Sequence, residues 1–66
     1  MLKVIDAKDA KITDSIFLNN QLFSVNEVIN TTGLIEGDTT IIHYGWNIGN
    51  SISFSRYAQI LVWREE

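Results

Sequence analysis

Sixty-six residues make one domain, 1–66, and a chain of that size buries only about 60% of the surface its unfolded form exposes. Cysteine is absent and His43 is the single histidine, which excludes disulfides, thiolate metal sites and multi-histidine zinc sites. No metal or other cofactor is expected. Apolar residues at 45% against 20% charged fit a globular chain, and a net charge of −3 argues against binding that depends on neutralising phosphates.

A core in this size range rarely supplies more than about 3–5 kcal/mol without a staple or a second subunit. With the staples excluded, association is the expected source of extra stability. Met1-Leu2-Lys3-Val4-Ile5 meets Asp6 at once, so no apolar stretch of signal-peptide length opens the sequence. The run Thr39 to Ser55 lacks Asp, Glu, Lys and Arg, but Gly45, Gly49 and many polar residues break it. It is too short and polar to span a bilayer. The expected partners therefore include no membrane, and the expected compartment is the cytoplasm.

Leu2 to Asp6 reads as a short strand, with Leu2 and Val4 on one face and Lys3 on the other. Ala7 to Lys11 reads as a charged turn. Ser15 to Phe23 carries two apolar runs around Asn19-Asn20, a pair that tolerates positive φ and predicts a two-residue hairpin turn. The next segment predicts a helix over about 25–32. Ser24 and Glu27 stand at capping-box positions, and Phe23 and Val28 at staple positions. Gly33 sits where a helix C′ residue is wanted, with Leu34 able to close on Ile29.

Glu36-Gly37-Asp38 reads as a turn, and Thr39 to Trp46 as a strand rich in β-formers. A bulge or bend is expected at Gly45, a positive φ at Gly49, and a chain reversal through Asn47 to Asn50. From Ser51 to Arg64 the apolar residues Ile52, Phe54, Ala58, Ile60 and Val62 recur with period two. Phe54, Tyr57, Ala58, Leu61 and Val62 also fit a helical stripe. The β-branched residues favour strand, with a bend or break near Arg56-Tyr57. The expected fold is α+β: a small, curved, mostly antiparallel sheet of four to five strands, with one short helix after the first hairpin.

Nothing in the sequence assembles catalytic machinery. Asp6, Asp9, Asp14, Glu27, Glu36, Asp38, Glu65 and Glu66 are scattered and read as solvated surface carboxylates. His43 is the only imidazole base; it sits mid-strand, and no serine lies in a nucleophile elbow. It reads as a half-buried histidine bonded to a backbone carbonyl. No catalytic or metal-binding residue is assigned, and an enzyme is not expected.

The aromatic residues carry more. If Ile60 and Val62 fill the core, then Tyr57, Leu61 and Trp63 need cover elsewhere, and Tyr44 and Trp46 share another strand face. Trp, Tyr and Arg dominate interface hot spots. The expected function is a non-catalytic protein-interaction module, acting as a homo-oligomer or as a small subunit or inhibitor docked on a larger protein. Its interface would comprise Tyr57, Leu61, Trp63, Tyr44 and Trp46. The alternative is a small nucleic-acid-binding domain using Lys3, Lys8, Lys11, Arg56 and Arg64, with an aromatic ring for stacking.

Overall fold

The computed structural model describes residues 1–33, 38–45 and 50–65. Strands take 63% of them and helical turns 5%. The elements are β1 (Leu2–Asp6), a 3-10 turn (Ala7–Asp9), β2 (Ser15–Leu18), β3 (Gln21–Thr31), β4 (Thr39–Tyr44), β5 (Ser51–Ser55) and β6 (Gln59–Trp63). All strand pairs are antiparallel, and the spatial order is β1-β6-β2-β3-β4-β5. The α+β expectation is overturned: the described residues form six strands instead of four or five, and residues 25–31 of the expected helix lie in β3.

The reason lies in one residue of β3. Val25 pairs with Tyr44 and Glu27 with His43, which leaves Asn26 as the extra residue of a bulge. Asn26 anchors it by donating from Nδ2 to the Gly45 carbonyl at 2.7 Å. Strict alternation runs Phe23, Val25 up to that point, then resumes at Val28. Inserting one residue into a period of two produces a spacing of three between Val25 and Val28, which imitates a helical stripe. Ser24 and Glu27 consequently belong to a strand, where Ser24 accepts from the Gly45 amide at 2.9 Å. Gly45 adopts φ +81°, the left-handed region that glycine enters freely. The expected Ile29–Leu34 clasp and Gly49 turn fall outside the described residues, as do Glu36 and Gly37 of the expected turn at 36–38.

Other elements follow their local chemistry. Asn19 and Asn20 take φ 50° and 64°, the two positive angles of a type I′ hairpin turn. The turn joins β2 to β3 with Leu18 opposite Gln21. Asn20→Gly should raise stability by about 0.5–1 kcal/mol, because a side chain in the left-handed region carries a penalty that glycine avoids. A chemical denaturation curve checks this, and a lower midpoint would contradict it. The C-terminal segment forms two strands, β5 and β6, that part at Arg56-Tyr57.

The long β3 lets the sheet fold over on itself. Its first part belongs with β1, β6 and β2, and its second part with β4 and β5. Between the two halves lie Ala7, Ala10, Ile16, Val25, Ile42, Ile60 and Val62, with Ile5, Leu18, Phe23, Val28, Tyr44, Ile52 and Phe54 packed around them. The 3-10 turn closes one side. Ala7 donates to the Ala58 carbonyl at 2.8 Å and Lys8 to that of Arg56 at 3.0 Å, while Asn30 donates to the Lys8 carbonyl at 3.3 Å. Buried Thr40 donates its hydroxyl to Asn30 Oδ1, so its polar group is satisfied inside the core.

Candidate interaction surface

Register decides which side chains share a face, because residues directly opposite each other on paired strands point the same way. Leu2 pairs with Trp63 and Val4 with Leu61. Trp63 also pairs with Ser15, while Phe17 pairs with Leu22. Leu2, Val4, Leu61, Trp63, Phe17 and Leu22 therefore stand together on the outer side of the first half-sheet, away from Ile16, Ile60 and Val62. Four of them are far from covered: Val4 is 62% exposed, Leu2 52%, Leu22 48% and Trp63 43%. Among the described strand residues of this face, Asp6 at the rim is the only charged one.

The outer side of the second half-sheet is mostly polar. Its cross-strand rows are Glu27-His43-Ser51, Ile29-Ile41-Ser53 and Thr31-Thr39-Ser55. The first row aligns a carboxylate, an imidazole and a hydroxyl. No hydrogen bond joins the three among the described residues, and nucleophile activation requires a base within about 2.6–3.2 Å. His43 likewise has no bond to a backbone carbonyl there, contrary to the expectation for it.

The five expected interface residues are thus divided. Leu61 and Trp63 lie on the exposed apolar face. Tyr57 is in the turn between β5 and β6, 65% exposed, with Lys8 Nζ 5.8 Å from its ring centroid. Tyr44 is a half-buried core neighbour, packed edge-on against Phe23 at 5.3 Å. Trp46 lies outside the described residues. Leu2, Val4, Phe17 and Leu22 were missed as surface candidates. Alternation showed that Leu2 and Val4 share a face, but only the pairing with β6 shows which face is left open.

The basic residues do not gather either. Arg56 Nη1 bonds Asp38 at 3.3 Å, and Lys8 pairs with Asp9 at 3.4 Å. Lys3 is half-buried on the inner side of β1, opposite Val62, and Lys11 is in the exposed loop before β2.

Arg64 is committed to structure. Its Nε and Nη2 both reach the Asp14 carboxylate at 2.7 Å, a bidentate fork. Its Nη2 also contacts the Asp9 carbonyl at 3.3 Å. Asp14 is 1% exposed, so the reading of every acid as a solvated surface group fails for it. The Arg64 fork holds the Asp14 carboxyl below its ordinary range, helped by the Lys11 amide and by the Arg64 and Lys11 charges, with burial opposing them.

No protein-family model, curated protein or solved structure matches this chain. Among the described residues no helix is long and apolar enough to cross a membrane.

Proposed function

We propose that this protein is a non-catalytic interaction module that docks through the outer face of β1, β6, β2 and the start of β3. The observation that carries this reading is the contiguity of Leu2, Val4, Leu61, Trp63, Phe17 and Leu22. Isolated exposed apolar residues need no explanation, whereas a contiguous patch marks a contact surface. Trp63 is its anchor, a residue type enriched in hot spots. The cytoplasm is the expected compartment, since the chain has no cysteine with which to exploit an oxidising one.

The face can be tested without disturbing the core. Val4→Ser combined with Trp63→Ser should leave the far-UV spectrum unchanged and the unfolding transition cooperative, because neither side chain belongs to the core. Association, with itself or with a captured partner, should weaken at least tenfold. Association at wild-type strength in that folded variant would remove this face as the docking surface.

A further inference from the structure

We infer that the occupant of this face is a second copy of the same chain, packed face to face across a two-fold axis. This rests on the interaction reading above and adds the identity of the partner. Three observations support it.

The first is area. Four strands about 4.8 Å apart, each contributing about five residues at about 3.4 Å, present a surface roughly 19 by 17 Å. Covering it from both sides, with the side-chain relief included, removes on the order of 1,000 Å² in total, near the lower bound for a specific dimer.

The second is charge. The protein carries a net charge of −3, yet among the described strand residues of the face only Asp6, at its rim, is charged. Two copies can meet there without setting like charges against each other at the centre. A membrane surface would call for Lys or Arg around an apolar patch, and none of the described strand residues on this face is either one.

The third observation weighs against the competing geometry, in which two β1 strands join edge to edge. Met1 and Arg64 exchange bonds at 2.8 and 2.9 Å, and Ala7 donates to Ala58 at 2.8 Å. That pattern turns the odd-numbered residues of β1 toward β6 and leaves the backbone groups of Leu2, Val4 and Asp6 along the free edge. The edge is open, but Lys3 stands half-buried on its inner side. An inward-pointing charged residue is one of the devices that blunt an edge strand against pairing. The face has no such guard.

Because the chain has no native cysteine, a single introduced thiol reports the contact cleanly. Leu61→Cys sits in the middle of the face and Ser53→Cys on the outer side of the other half-sheet. Light scattering on the wild type should give twice the 7.5 kDa chain mass at micromolar concentration. Mild oxidation should cross-link Leu61→Cys in high yield and Ser53→Cys at least tenfold less. Val4→Lys with Leu22→Lys should give folded single chains.

A wild type that stays at single-chain mass up to millimolar concentration overturns the second-copy inference. The interaction reading would still stand, and would fall only if the double-lysine variant captured a partner as well as the wild type. A dimer whose Leu61→Cys form resists cross-linking, while its Leu2 and Val4 amides become protected from exchange, overturns the face-to-face arrangement in favour of the edge.

Discussion

Ile42→Ala should bring the protein to the edge of unfolding at room temperature. Ile42 is fully buried at the centre of the core, opposite Val28 on one side and Ile52 on the other. Truncating a buried isoleucine costs about 3 kcal/mol, the lost transfer energy plus a cavity that neighbours fill only in part. A domain of this size holds about 3–5 kcal/mol in reserve, so one truncation removes most of it. The control is Ile29→Ala, on the outer side of the same half-sheet and 37% exposed, which should cost clearly less, about 1–2 kcal/mol with no enclosed cavity. Urea denaturation followed by circular dichroism checks both. Equal effects at the two sites would mean that the inner and outer sides are assigned wrongly. If the chain dimerises as inferred, the Ile42→Ala midpoint should also rise with protein concentration, because association stabilises the folded form by mass action.

The second large effect is expected at Asp14. Asp14→Asn keeps the shape but removes the charge, leaving the Arg64 guanidinium, 19% exposed, without its bidentate partner. Breaking one side of a buried pair costs about 3 kcal/mol or more. Arg64→Met should cost a comparable amount, since it strands the Asp14 carboxylate. The double variant should lose clearly less than the sum, as residues sharing one interaction couple.

The same pair predicts an acid-sensitive stability. The Asp14 carboxyl titrates below its ordinary value of 3.8 when folded, so the unfolded chain binds the proton more readily than the folded one. Its contribution is complete above the unfolded value, and it declines as pH falls from there through the lower folded value. Wild type should therefore lose more stability than Asp14→Asn between about pH 5 and the acid limit. Parallel curves for the two proteins would show that the pair contributes nothing linked to protons.

Some parts of this architecture could be read directly from local chemistry. Asn19-Asn20 between two apolar runs specifies its own turn, because asparagine is among the few residues that enter the left-handed region cheaply. β1 and β4 also declare themselves, whereas the tail fits both a period-two pattern and a helical stripe; it forms strands, with Ile60 and Val62 buried and Leu61 and Trp63 less covered. The error over residues 25–32 has a definite origin. Ser24 and Glu27 satisfy a local rule for starting a helix, but those few hydrogen bonds compete with two ladders, to β2 and to β4, that bury Val25 and Val28. Long-range pairing won, and the bulge at Asn26 disguised a strand's spacing as that of a helix.

The apolar surface was legible only in part, and for a similar reason. Leu61 and Trp63 could be singled out because one strand's own alternation separates them from the core. Tyr57 and Tyr44 could not be sorted the same way, since one lies in a turn and the other borders the core through Phe23. Leu2, Val4, Phe17 and Leu22 join the face through partners up to 61 positions away, as Leu2 does with Trp63. Asp14 and Arg64, 50 positions apart, meet because β2 and β6 are neighbours. By itself the sequence determined the Asn19-Asn20 turn, the extended character of β1, β2 and β4, and the want of cysteine, all of which depend on residue type and contacts a few residues long. The tertiary structure decided the fate of the false helix, the burial of Asp14 and which side of the sheet stays bare, because each depends on strand order and register, and those emerge only when distant segments compete for the same partners.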